Sequence, residues 1–399
     1  MLIHSARLVS EGTVVEDAWV HVESGRVTAS GFGAADRPRN ARAVIDASDA
    51  AGPGAVLAPG FVDIHGHGGA GHAYDDGAAA IRAARDLHRA HGTTRAVVSL
   101  VTAPLGDLVA RVRMVAELTR TDPDVLGSHL EGPFLDPAHR GAHDAAQLRA
   151  PASAALDALL SAGAGTVRQV TLAPELPGGL DAVRRVVAAG AAAAVGHTAA
   201  DAAAAAAAFD AGATILTHAF NAMPALHHRA IGPVGAALAD DRVTLEVIAD
   251  GVHLDTGIVR MLAAAAPGRI ALVTDAMAGA GGADGDYTLG ALRVELRDGV
   301  ARLAGTATIA GSTLTQDAAL RTAVAAGVPL EAAVHALTAA PARAIGRSDL
   351  GVLAPGSIAD MVLLSADLRV HGVWTAGEPA LGTDEAGLGD AGHARRLEP

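Results

Sequence analysis

A TIM (β/α)8 barrel carrying a small β-sandwich is the fold class this sequence predicts, and three observations predict it. Between residues 56 and 345, eight short apolar β-type runs alternate with longer Ala/Leu/Arg patterns of helical period. Both ends of the chain carry a different, strand-only alternation. The 399-residue length accommodates one large α/β barrel or two to three smaller domains, and the eightfold rhythm selects the barrel. The expected division is a sandwich from 1–55 with 347–399, and a barrel over 56–346.

Taken in order, Leu2 to Val9 and Ala18 to Val27 alternate like half-buried strands, and Glu23-Ser24-Gly25 supplies a hairpin turn. The barrel strands are expected at 56–64, 95–101, 125–130, 168–173, 191–196, 213–217, 243–249 and 270–274. Helices are expected at 78–90, 106–120, 152–162, 179–189, 199–210 and 255–265. The Ala run 202–208 is a strong helix former, with Asp201 near its start. Beyond the eighth strand, 287–304 reads as an inserted hairpin turning at Arg297-Asp298-Gly299, followed by helices at 312–326 and 330–339. Ile358 to Leu364 and Val370 to Val373 return to strand character and can pair with the N-terminal strands.

Composition narrows the chemistry. Half the residues are hydrophobic but only 2% are aromatic, so the core is built from Ala, Val and Leu. There is no cysteine, which removes disulfides, thiolate nucleophiles, Cys-ligated zinc and iron–sulfur clusters. Any metal chemistry must use mainly His, Asp and Glu. A net charge of −13 repels polyanions and argues against nucleic-acid binding. The Ala-rich stretch from Val183 to Leu216 is interrupted by Arg184, Arg185, His197, Asp201 and Asp210, so it predicts no membrane span. No basic-then-apolar export segment opens the chain, and a cytoplasmic protein is expected.

Most of the eight runs end in a reactive side chain: His65 and His67, Thr102, Glu131, Glu175, His197, His218, Asp250 and Asp275. In a barrel all of these converge on the C-terminal face, where active sites of the fold sit. Alternate residues of one strand point the same way, so His65 and His67 can reach one cation. Four imidazoles with two carboxylates form an N/O donor set suited to Zn²⁺, Fe²⁺, Mn²⁺ or Co²⁺. That is more than one tetrahedral ion needs, so the expectation is two divalent ions per subunit. Glu131 would bridge them, with His65, His67 and Asp275 on one and His197 and His218 on the other. Such a centre acidifies a bound water toward a pKa of about 7 and polarises a carbonyl. His129, two residues before Glu131, and Asp63, two before His65, share the inward face and are expected to support these side chains.

The segments APGFVDIHGHGG (58–69), HLEGPF (129–134), GHT (196–198), THAFNAM (217–223), ADGVH (249–253) and TDAM (274–277) resemble those of the N-acetylglucosamine-6-phosphate deacetylases of the amidohydrolase superfamily. The likeness extends to GSIADMVLLSADLRVHGVWTAGE (356–378). The resemblance implies hydrolysis of the acetamide of N-acetylglucosamine 6-phosphate to glucosamine 6-phosphate and acetate, in amino-sugar breakdown or recycling. It makes Glu131, His197 and His218 metal ligands and Asp275 the catalytic acid/base. It places Ala142, His143, Asn221, Ala222, Arg229 and His253 on the substrate, with Thr308, Ile309 and Ala310 closing over the sugar. It also implies a homodimer in which some phosphate contacts cross the subunit boundary. An Arg229 fork with backbone N–H groups at Asn221 and Ala222 could hold a phosphate against the unfavourable net charge.

Two departures from the family pattern stand out. Some members lack the first His-x-His pair and run on one metal, whereas this chain keeps both. Residues 139–143 read His-Arg-Gly-Ala-His where the family commonly has Lys before the Gly. Other activities compatible with the fold are N-acetylgalactosamine-6-phosphate deacetylation, cyclic-amide hydrolysis and an inactive scaffold. The cyclic-amide enzymes usually bridge their metals with a modified lysine, and this chain has no lysine. Deaminases of the superfamily carry a His-Ala-Gly-Glu signature that is missing here. An inactive scaffold would have lost metal ligands, and all six are present.

Overall fold

The computed structural model describes residues 1–380; the 381–399 part of the expected C-terminal β segment lies outside the described residues. Eight parallel strands form the barrel sheet, running in order from Phe61–Asp63 through Thr93–Val101, Val125–Glu131, Val167–Leu172, Ala192–Val195, Ile215–Leu216 and Thr244–Val247 to Ile270–Leu272. The seam between the first and eighth strands is closed beyond the strand ends. Asp275 N–H donates to the His65 carbonyl (2.8 Å), and Thr274 Oγ1 donates to Asp63 Oδ2 (2.5 Å). At the other end of the seam the buried Gln316 amide donates to Val62 O (3.0 Å) and Leu272 O (3.3 Å).

The first expected strand is two strands. Val56–Pro59 belongs to the terminal sheet, and Phe61–Asp63 to the barrel. Pro59-Gly60 makes the break, because a Cβ at Gly60 would lie 2.2 Å from Thr94 Oγ1, so only glycine lets the chain cross that close to the second barrel strand. The terminal strands form one eight-stranded sheet rather than two separate ones, ordered from Glu378–Pro379 and Val370–Thr375 through Met361–Leu364, Val56–Pro59 and Leu2–Ser10 to Thr13–Glu23 and Arg26–Phe32. Val44–Asp46 pairs beside Leu2–Ser10. The sheet curls until Arg26 bridges Ile358, enclosing Ile3, Val20, Leu57, Met361, Leu363 and Trp374.

Period-two alternation welds the two layers. Leu57, Met361 and Leu363 face the core of the curled sheet, whereas Val56, Ala58, Val362 and Leu364 face the barrel core. Both faces of these strands are covered, which explains why they read as unbroken apolar runs.

The helices fall close to where the periodicity places them, as at Ala78–Ala90, Leu105–Thr121 and Thr256–Ala265. Asp201 caps Ala202–Asp210 by accepting from Ala204 N–H (2.8 Å). The expected helix at 330–339 ends at Leu337, and a second one runs Ala339–Ala344. Pro341 accounts for the break, since its ring would clash with the Leu337 carbonyl four residues earlier in a continuous helix. The helix expected from 312 begins at Gln316, because Ser312 instead pairs with Ala276 beside the eighth strand. The insertion has three strands, Gly285–Leu289, Leu292–Arg297 and Val300–Leu303, with the Asp298-Gly299 turn where it is expected.

Candidate metal centre

The strand ends deliver their side chains into one buried cluster. Glu131 ends the third barrel strand, and its Oε1 lies 3.3 Å from His65 Nε2, 3.1 Å from His197 Nε2 and 3.2 Å from His218 Nε2. Its Oε2 lies 3.1 Å from His67 Nε2 and 3.3 Å from His143 Nε2. Asp275 Oδ1 sits 3.3 Å from His67 Nε2 and 3.7 Å from His65 Nε2. The atoms resolve into two triads with metal-ligand spacing, His65–His67–Asp275 and Glu131–His197–His218. The Glu131 carboxylate touches members of both.

Backbone conformation aims several of these groups. His197, His218 and Asp275 all adopt left-handed φ values, of 47°, 27° and 48°. Each costs on the order of 1 kcal/mol or more in a non-glycine residue, and together they turn side chains from the strand direction into the barrel mouth. Gly66, between the two histidines, passes close to the eighth strand: a Cβ there would meet Thr274 Oγ1 at 3.0 Å and Asp63 Oδ2 at 3.3 Å.

The far nitrogens are held selectively. His65 Nδ1 donates to Glu246 Oε2 (2.9 Å), and His197 Nδ1 to the His139 carbonyl (2.9 Å). His88 Nε2 donates to Gly68 O (2.9 Å), steadying the turn after His67; burial pushes this imidazole down to about 4, so it is neutral. His129 is not part of either triad. It bridges Ser99 and Thr171 and packs edge-on against His65. Asp63 accepts from the His65 and Thr274 backbone N–H groups and from the Thr274 hydroxyl rather than from an imidazole.

Electrostatics match a cation site. Burial pulls the His65 imidazole down, but Glu131, Glu246 and Asp275 outweigh it and hold it well above its ordinary value. For His67, burial is likewise overcome by Asp275 and Glu131, leaving it at about 9. Glu131, which burial alone would raise, is held well below the carboxylate range by His65, His143 and His197. Protons on imidazoles thus occupy the field that a cation would fill, and metal uptake would release them. Among the described residues His65 Nε2 is buried without a hydrogen-bond partner; it faces Glu131 and Asp275, and every donor is N or O. These residues fit one or two divalent ions of the Zn/Fe/Mn/Co type.

Above the cluster opens a cavity of about 560 Å³, lined by Ala142, His143, Asn221, Ala222, His253, Thr308 and Ile309 beside Asp275. Arg140 also lines it, a cationic group that the motif comparison did not assign to substrate. Two of the expected substrate residues lie outside this lining. Ala310 is buried in the core of the insertion, and Arg229 is exposed, with its guanidinium against His228. His143 Nδ1 faces Thr102 Oγ1 (2.9 Å) and its Nε2 faces Glu131, so in this structure it supports the Glu131 carboxylate. His253 Nδ1 donates to Asp250 Oδ2 (2.7 Å). Burial lowers this imidazole, but Asp250 more than compensates and raises it. Glu246 was missed in the sequence; its only signal is an acid inside the apolar run Leu245 to Ala249.

A (β/α)8 barrel that collects two N/O triads at the carboxyl ends of its strands is a metal-dependent hydrolase scaffold. The amidohydrolase family profile matches residues 56–380, and the chain belongs to that family. It is 40% identical to an N-acetylgalactosamine-6-phosphate deacetylase of Escherichia coli O157:H7, over 82% of this chain and 88% of the relative. It is 37% identical to the human N-acetylglucosamine-6-phosphate deacetylase, over 84% and 85%. Among solved structures it is similar to N-acetyl-D-glucosamine-6-phosphate deacetylase of Mycobacterium smegmatis, with a TM-score of 0.89, 42% identity and coverage of 95% and 99%.

Proposed function

We propose that this protein hydrolyses the acetamide of N-acetylglucosamine 6-phosphate, giving glucosamine 6-phosphate and acetate. The observation that carries the reading is that Asp275, a member of one triad, lines the same cavity as His253, Asn221 and the Glu131–His197–His218 triad. Relatives of the same activity along most of the chain support it. Divalent cations held by the two triads, two per chain, would supply Lewis acidity, polarising the acetamide carbonyl and acidifying a water.

The chain's own groups do the rest. The Asp275 carboxylate takes a proton from the attacking water as the new C–O bond forms, and returns it to the sugar nitrogen as the C–N bond breaks. His253, oriented by Asp250, presents Nε2 to the carbonyl or phosphate oxygen. The backbone at Asn221 and Ala222 holds the sugar phosphate, while Thr308 and Ile309 cover the ring. Arg140 offers a cation within the same chain's cavity. Arg229 is exposed, in keeping with a homodimer in which it would reach the partner's phosphate site.

Acetate release measured on phosphorylated and unphosphorylated N-acetylglucosamine tests the assignment. The phosphorylated sugar is expected to react at least about 100-fold faster in kcat/KM, the equivalent of one or two charge-assisted hydrogen bonds. Equal rates would remove the phosphate from the reading, and no acetate from either with metal supplied would remove the deacetylase. The Escherichia coli relative favours a second reading, the galactosamine epimer. The ratio of kcat/KM on the two epimeric phosphates decides between them. Elemental analysis should find two ions per chain; a ratio near one would overturn the two-ion assignment.

A further inference from the structure

We propose that Glu246 is the positioning residue of the His65–His67–Asp275 half-site: it makes that triad able to hold its ion, and does so through His65. This rests on the two-ion reading above. Glu246 lies on Thr244–Val247, the seventh barrel strand, and is fully buried inside the barrel. Its two oxygens collect three donors. Oε2 accepts from His65 Nδ1 (2.9 Å) and from the His218 backbone N–H (3.3 Å), and Oε1 accepts from the Gln169 amide (2.7 Å). A carboxylate in so apolar a strand carries a desolvation cost that only such a set of donors offsets.

The chemistry follows from the imidazole. Only one ring nitrogen of a neutral histidine carries a proton, and the nitrogen that does cannot bind a metal. With its Nδ1 proton held by Glu246, His65 keeps Nε2, on the side of Glu131 and Asp275, as the nitrogen whose lone pair would take the cation. The extra negative charge behind the ring also raises its basicity toward a cation. Among the described residues His67 has no hydrogen-bond partner at Nδ1, so within this triad Glu246 is the anchor. The other triad has its own anchor, because His197 is fixed by the His139 carbonyl. Glu246 meets His218 only at the backbone, leaving that ring untouched. Its loss therefore acts on one half-site and spares the other.

Zinc binding to metal-free protein, followed with a competing chelator and by elemental analysis after dialysis, tests this. Wild type is expected to take up two ions. Glu246→Gln should keep one at wild-type affinity and bind the second about 10–100-fold more weakly, with the metal-free melting temperature unchanged within a few degrees. In a His65→Asn background, Glu246→Gln should produce no further loss. Two ions at unchanged affinity in Glu246→Gln, equal weakening of both, or a full-sized further loss in the His65→Asn background would each overturn the role of Glu246. Uptake of one ion by the wild type would instead overturn the two-ion reading beneath it. Should Glu246→Gln not fold, Glu246→Asp, whose carboxylate falls one methylene short of His65, is expected to show the same selective loss.

Discussion

Asp275→Asn is expected to lower kcat on N-acetylglucosamine 6-phosphate by about 10²–10⁴-fold, the range that positioned acid/base groups contribute. Burial alone would raise the Asp275 carboxyl, but His65 and His67 beside it bring it down to about 2. It is therefore ionised at neutral pH and free to take up a proton, which an asparagine amide cannot do. The substitution is nearly isosteric and leaves Glu131, His197 and His218 intact, so that triad should keep its ion. Because the group acts in the transition state, substrate affinity should change little while kcat collapses. Acetate release, metal content and substrate binding measured on one preparation separate these effects. Near-normal kcat with metal retained would show that Asp275 is not the proton carrier.

The parts of this molecule that were legible in its sequence are those with a local signal. The Ala78–Ala90 helix repeats its apolar face every three to four residues, and His65, His67, Glu131, His197, His218 and Asp275 each close an apolar run, a pattern visible without knowing which strand adjoins which. What stayed hidden depends on distant pairing. Residues 56–64 read as one strand because both halves are apolar, and only the approach of Thr94 and the pairing of Val56–Pro59 with Leu2–Ser10 and Met361–Leu364 divide them. Glu246 meets His65 across 181 residues, and nothing near either one announces the other. The helix Gly232–Leu238 escaped because its seven residues include two glycines and a proline and carry no polar face.

The largest stability effect is expected away from the site, at the ion pair that ties the barrel to the terminal sheet. Arg95, on the second barrel strand, and Asp360, just before Met361–Leu364, are both buried. The guanidinium donates to Asp360 through Nε (2.6 Å) and Nη2 (2.9 Å), and through Nη1 to the Pro123 carbonyl (2.5 Å). Asp360 also accepts from Ala376 N–H (2.7 Å). Asp360→Asn preserves the shape and an acceptor but leaves the guanidinium without a counter-charge, which costs about 3–5 kcal/mol in a buried pair. For a chain of 399 residues the usual unfolding entropy per residue converts this to a melting temperature lower by about 4–6 °C. Replacing both residues with apolar ones, Arg95→Met with Asp360→Leu, should recover most of the loss, since a buried pair can be exchanged for hydrophobic packing at little net cost. Recovery will be incomplete, because Pro123 O and Ala376 N lose their partners. Activity at 25 °C should stay within about twofold of wild type in Asp360→Asn, since Arg95 lies at the opposite end of its strand from the catalytic mouth. A shift below about 1 °C in the single variant would mean that the pair carries no net stabilisation and that apolar packing alone holds the sheet to the barrel.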